Sequence, residues 1–204
     1  FGVVAGLKSE DGLTTRNAVI KNLNMLQISY TPSGNEKGNM VGGIAGMAVD
    51  TTFDGCVVQG AISGRTQLGA IVGYAYNSNL YNCGSNVAIT TNNIHAWAGG
   101  LVGYAAHSDI RNSYSVSTFT NNQVALPEYL NIGAIAGYVV DSTFDHCFYV
   151  ARSEINSSKD YTGVTQTTMT TLKSDDMLHA LRDYSDAYGF ESLWASGAMF
   201  PSNN

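Results

Sequence analysis

Three cysteines, four histidines and a recurring set of aspartates are the residues of this 204-residue chain whose types carry chemistry, and their spacing decides how much. Cys56, Cys83 and Cys147 lie 27 and 64 residues apart, which matches neither a CxxC metal knuckle nor the framework of a small disulfide protein. His95, His107, His146 and His179 are dispersed, and no HExxH, GxSxG, P-loop or EF-hand spacing occurs. Glycoside cleavage needs two carboxyl groups about 5 to 10 Å apart. Asp50, Asp54, Asp141 and Asp145 are the candidates, but the first pair is separated from the second by positions holding Asn77, Tyr81, His107 and Arg111. Within one pair the aspartates flank a polar corner, where forming the turn is their ordinary role. The expectation is a chain with no catalytic residue, no metal and no cofactor, and so not an enzyme.

Composition removes two classes of partner. Ten Lys and Arg against sixteen Asp and Glu give a net charge of -6, and the basic residues are scattered, so no cationic face exists to neutralise phosphates and no nucleic-acid partner is expected. No apolar run approaches the roughly 18 residues of a membrane span. The opening FGVVAGLKSEDG lacks a charged stretch followed by a long apolar core, so any export signal is expected outside this sequence. At 44% hydrophobic residues there is enough apolar material for a real core.

Those chemically capable residues fall in register because one phrase recurs. It appears as Gly2 to Gly6, Gly42 to Gly46, Gly69 to Gly73, Gly99 to Gly103 and Gly133 to Gly137, each ending in the marker glycine Gly6, Gly46, Gly73, Gly103 or Gly137. Marker spacings of 40, 27, 30 and 34 imply loops of unequal length. After the phrase come polar corners at Asp50-Thr51-Thr52, Asn77-Ser78-Asn79, His107-Ser108-Asp109 and Asp141-Ser142-Thr143. An apolar column follows (Phe53, Leu80, Ile110, Phe144), then a column of Cys56, Cys83, Ser113 and Cys147. In the first copy Ile20, Asn22 and Leu23 take the places of Phe53, Gly55 and Cys56. His107 and His146 stand in columns otherwise filled by Asn, Asp or Gly, which makes them turn residues. Equivalent side chains in stacked coils run parallel, which is poor geometry for a disulfide. Stacked, reduced thiols are therefore expected, with a Cys56 to Cys83 bridge as the alternative and zinc behind it.

Each copy reads as a small-residue strand, a polar corner, a second strand and a variable loop. One such unit cannot bury its own apolar face, whereas stacking five of them joins the faces into one core. The predicted fold is an all-β, right-handed parallel β-solenoid of about five coils over residues 1–158. A C-terminal cap over residues 159–204 is expected to carry one short helix near 175–186, started by Ser174-Asp175-Asp176. Because the repeat begins at Phe1 with no cap before it, further sequence is expected upstream. Two causes compete for the glycine columns: a positive φ, or close packing of opposite walls. The alternation Gly43, Ala70, Gly100, Ala134 favours packing.

Recognition, if any, is expected in the loops on this scaffold: Pro32 to Asn39, Arg65 to Leu68, Asn92 to Trp97 and Asn121 to Tyr129. His95, Trp97, Pro127 and Tyr129 are the candidate ligand contacts; the plainer reading is that these loops only close the coils. Tyr74, Tyr104 and Tyr138 form a further column, a sugar-stacking strip if it faces out and core if it faces in, with small neighbours favouring core.

The phrases GGLVGY (Gly99 to Tyr104), GAIVGY (Gly69 to Tyr74) and GAIAGY (Gly133 to Tyr138) resemble the GLUG motif of bacterial surface and secreted proteins. The resemblance covers about residues 1 to 158 and departs at Val3 and Met47. It implies a non-catalytic adhesion or binding module, extracellular or on a bacterial cell surface, with a host surface protein or glycan as partner. The alternatives are a spacer that positions another domain and, behind it, a carbohydrate-active β-helix enzyme.

Overall fold

Two kinds of corner cut each repeat into short strands, and both are made by residues that tolerate a left-handed backbone. The first column of corners is Asp50, Asn77, His107 and Asp141, with φ between 42° and 50°. The second is Asn22, Gly55, Asn82, Asn112 and His146, with φ between 47° and 69°. Short polar side chains and glycine pay least for this conformation, so a single residue turns the chain sharply. The sequence reading placed the first column as a corner and named His146 of the second a turn residue, yet it ran one strand on from the apolar column instead of breaking it at the second.

A computed structural model describes residues 2, 18–32, 39–121, 131–150, 161–190, 194–195 and 202–203. The first coil supplies β1 (Ala18–Lys21) and β2 (Asn24–Tyr30), and the second supplies β3 (Met40–Gly42), β4 (Ala45–Val49), β5 (Thr51–Asp54) and β6 (Val57–Gly64). The third holds β7 (Gln67–Gly69), β8 (Val72–Tyr76), β9 (Asn79–Tyr81) and β10 (Gly84–Thr91). In the fourth are β11 (Trp97–Gly99), β12 (Val102–Ala106), β13 (Asp109–Arg111), β14 (Tyr114–Ser115) and β15 (Thr118–Asn121). The fifth has β16 (Asn131–Gly133), β17 (Ala136–Val140), β18 (Thr143–Asp145) and β19 (Cys147–Val150).

Equivalent strands stack in parallel into four sheets: β3-β7-β11-β16 (sheet 1), β4-β8-β12-β17 (sheet 2), β1-β5-β9-β13-β18 (sheet 3), and sheet 4 running from β2 through β6, β10 and β14 to β19, with β15 also on β10. The chain is thus a β-solenoid of about four turns. Its register is the one read from the repeats. Ile20 pairs with Phe53, Phe53 with Leu80, Leu80 with Ile110 and Ile110 with Phe144. From Phe53 onward this column is buried, as are Ile44, Ile71, Leu101 and Ile135 at the bend between sheets 1 and 2. Each such side chain contributes about 1.5–3 kcal/mol by leaving water.

The glycine columns are a packing device. Gly73, Gly103 and Gly137 have no positive φ, and a Cβ on them would come within 2.7 Å of Val41 N, 2.5 Å of Leu68 N and 2.5 Å of Ala98 N respectively. Sheet 2 therefore lies directly against the backbone of the preceding coil's sheet 1. The phrase itself is not one strand: it bends at Gly43-Ile44, Ala70-Ile71, Gly100-Leu101 and Ala134-Ile135 between sheets 1 and 2.

Polar ladders add coil-to-coil bonds at the corners. The Ser78, Ser108 and Ser142 hydroxyls accept from the N–H of Thr51, Ser78 and Ser108 at 3.1, 3.2 and 3.0 Å, and each donates to the carbonyl two residues before it.

The tail does more than was expected of it. β20 (Val164–Thr167) pairs in parallel with β19 and so extends sheet 4 by one strand. Two helices follow where one was expected: α1 (Met169–Leu172) and α2 (Asp175–Ala187), the latter capped by the Ser174 hydroxyl accepting from Met177 N–H at 3.2 Å. A short pair, β21 (Trp194–Ala195) and β22 (Ser202–Asn203), completes the described residues. The helix α2 lies along the flank rather than over the last coil. Met177, Leu178 and Leu181 cluster with Tyr114, Val116 and Val150, and Tyr81 stacks on Phe190 at 4.9 Å.

Candidate functional site

The cysteine column is fully buried and reduced. Each thiol lies close to the carbonyl two residues before it: Cys56 to Asp54 O at 3.7 Å, Cys83 to Tyr81 O at 3.2 Å, Cys147 to Asp145 O at 3.5 Å. Ser113 repeats the pattern with a bond to Arg111 O at 2.7 Å. Burial pushes Cys147 up to about 12 and Cys83 well above the usual thiol value, while a hydrogen bond from Cys83 holds Cys56 down. Thiols without access to solvent do not attack anything; their place in this structure is in the core.

Three of the recurring aspartates accept a side-chain hydrogen bond. Asp50 Oδ1 accepts from Asn77 Nδ2 at 2.5 Å, and Asp54 Oδ1 accepts from Asn82 Nδ2 at 2.8 Å while its Oδ2 lies 3.5 Å from Lys21 Nζ. Asp145 Oδ2 accepts from the Tyr184 hydroxyl at 2.6 Å. His107 and His146 are corner residues at φ 50° and 52°, and His179 is exposed on α2. Among the described residues no three His, Cys, Asp or Glu side chains converge on a point that would hold a metal.

The tyrosine column is where structure and expectation part. Tyr74, Tyr104 and Tyr138 pair in register across β8, β12 and β17, but they are half-buried rather than core, and Met47, the same position one coil earlier, is 48% exposed. Their rings form a ladder, with centroids 4.9 Å apart between Tyr74 and Tyr104 and 5.3 Å between Tyr104 and Tyr138. Trp97 joins it, 5.1 Å from Tyr104 and 5.2 Å from Tyr138. The reason is the bend at Gly100-Leu101. Trp97 on sheet 1 and Tyr104 on sheet 2 stand equally far from it along the chain, so the aromatics fill the mouth between two sheets whose depth admits only glycine.

Centroid separations near 5 Å exceed the 3.5 to 4.0 Å contact distance of carbon atoms, so the rings are offset and overlap only in part. Partial burial raises the Tyr74 phenol above its ordinary value, with the Tyr104 and Tyr76 hydroxyls adding to the effect. The Tyr74 phenol therefore remains a neutral hydrogen-bonding group at neutral pH.

Of the candidate contacts, Trp97 is part of this ladder, and its backbone N–H donates to Thr66 O at 2.6 Å. His95 is exposed in a turn whose N–H donates to Asn93 Oδ1 at 3.0 Å. Pro127 and Tyr129 lie outside the described residues, as does the marker Gly6. The sequence named Trp97 and the tyrosines separately and missed that they form one surface; the signal was their equal distance from the bend of the glycine phrase. Comparison of the chain with known protein families, with curated proteins and with solved structures gives no match.

Proposed function

We propose that this chain is a non-catalytic binding module, secreted or displayed on a bacterial surface, that holds a glycan against the Trp97-Tyr74-Tyr104-Tyr138 ladder. One observation supports the reading: four aromatic side chains in contact, half-open to solvent, on strands held by sheet pairing, β8, β11 and β12 on both sides and β17 on one. Aromatic rings with polar tips suit a ligand that offers both C–H faces and hydroxyls. A rigid scaffold spares the ordering cost of binding. The surface address and the adhesive role rest on the resemblance of the glycine phrases to GLUG repeats, an argument by analogy.

A glycan array read with wild type and with Trp97→Ala and Tyr104→Ala tests this. Binding that falls at least about tenfold in both variants, with their folds intact, supports the module. A second reading, a spacer for another domain, is favoured by the coil-to-coil hydroxyl ladders. Failure of the wild type to bind any glycan leaves that reading.

A further inference from the structure

We infer that the glycan is acidic, and that its carboxylate is taken by Arg65 in a depression beside the aromatic ladder; the inference rests on the binding role proposed above. Three successive coils meet where sheet 4 passes into the loops leading to sheet 1, and they leave a hollow of about 200 Å³. The first coil lines it with Thr31 and Pro32, the second with Ser63 and Arg65, the third with Thr90 and Asn92. Ser63 and Thr90 are register partners on adjacent strands, so their spacing is set by the sheet.

Among the described residues the hollow is lined by one cation and no carboxylate. Arg65 is exposed and makes no ion pair among the described residues, whereas Lys21 and Arg111 are matched with Asp54 and Asp109. In a chain of net charge -6 an unmatched guanidinium ringed by hydroxyl and amide groups is suited to an anion that also carries hydroxyls. The Arg65 backbone is held from the next coil, where the Thr91 hydroxyl donates to Arg65 O at 3.5 Å.

Size and position narrow the ligand. The hollow is smaller than the roughly 300–1,000 Å³ of a drug-sized site, so it takes one charged sugar residue rather than a whole ligand. The residue after Arg65 leads straight to the ladder: Thr66 O accepts from Trp97 N–H, and Gln67 is the register partner of Trp97. One chain can therefore lay a uronate in the hollow and its neighbouring sugars against Trp97 and Tyr104.

The test compares glucuronate- and galacturonate-containing oligosaccharides with the same chains after reduction of their carboxyls to alcohols, by calorimetry on the whole chain. Wild type is expected to bind the acidic chains at least about tenfold more tightly than the reduced ones. Arg65→Gln is expected to remove that preference and leave binding of the reduced chains unchanged, while Tyr104→Ala weakens both. Arg65→Gln with an unaltered preference, or with equal losses for both chains, overturns the inference and leaves the glycan reading standing. No binding of either chain by the wild type overturns the inference, and the glycan reading falls with it only if the glycan array is blank as well.

Discussion

Gly103 shows at the scale of one residue how the fold is specified. Its φ is not left-handed, so alanine would be conformationally acceptable, yet a Cβ would sit 2.5 Å from both Gly73 O and Leu68 N. Both neighbours are backbone atoms of paired strands and have little room to yield. Gly103→Ala is therefore expected to cost about 3 kcal/mol or more, at the upper end for overpacking, as measured by denaturant unfolding. A cost under about 1 kcal/mol would show that the close approach of sheets 1 and 2 is not what selects glycine there. This cause was legible before any coordinates, because the Gly43, Ala70, Gly100, Ala134 column varies in size while keeping small residues. What the column did not carry was the depth of the contact, which depends on where the preceding coil lies.

The helix α2 is the element whose existence and whose position have different sources. Ser174 followed by Asp175 and Asp176 announces its start, since a capping hydroxyl and acidic residues satisfy the exposed N–H groups of a first turn. Nothing in Met177, Leu178 and Leu181 says which wall they cover; that is settled by partners far away in sequence. Asn112 Nδ2 lies 2.9 Å from Leu181 O, Ser185 Oγ donates to Asn82 Oδ1 at 3.0 Å, and Tyr184 stacks on His146 at 4.6 Å with planes 3° apart. For the same reason the sequence favoured core for the ladder while leaving the outward reading open: small neighbours mark a tight bend but not whether the ring beyond it reaches water.

The clasp brings a pH dependence with it. His146 Nδ1 lies 2.8 Å from Asn112 Oδ1, and burial against α2 lowers its pKa, with Asp145 opposing. A histidine whose folded pKa lies below the unfolded value of about 6.5 binds its proton more readily when unfolded, so stability rises with pH between the two values and is complete above the higher. Thermal unfolding at pH 5 and pH 7.5 is expected to show a smaller acid loss in His146→Asn, a change that keeps a residue suited to the left-handed corner. An identical loss in both proteins would remove His146 from the account.

At the scale of the molecule, the register has a consequence that does not depend on ligand. Every coil bonds chiefly to the coils on either side of it, so stability is close to a sum of coil terms and interface terms, and a whole coil is a removable unit. Excising residues 47–73 joins Gly46 to Tyr74 and restores an unbroken glycine phrase followed by its tyrosine. Ile20 would then face Leu80 in place of Phe53, both of them apolar partners of the same column. Asn82, Asn112, Ser185 and the three ladder tyrosines all survive the cut. The shortened chain is expected to fold, to keep a single unfolding transition and the α2 contacts, and to melt at lower temperature because one coil and one interface are gone. Excising one residue fewer, 48–73, joins Met47 to Tyr74 and moves the residues beyond one place along, so that Asn79 rather than Leu80 would face Ile20. That control is expected to be less stable than the in-register deletion, as read by circular dichroism and urea unfolding. Equal stability of the two would mean that the coils are not matched column by column, and that what holds the stack together is general apolar collapse rather than the ladder of equivalent positions.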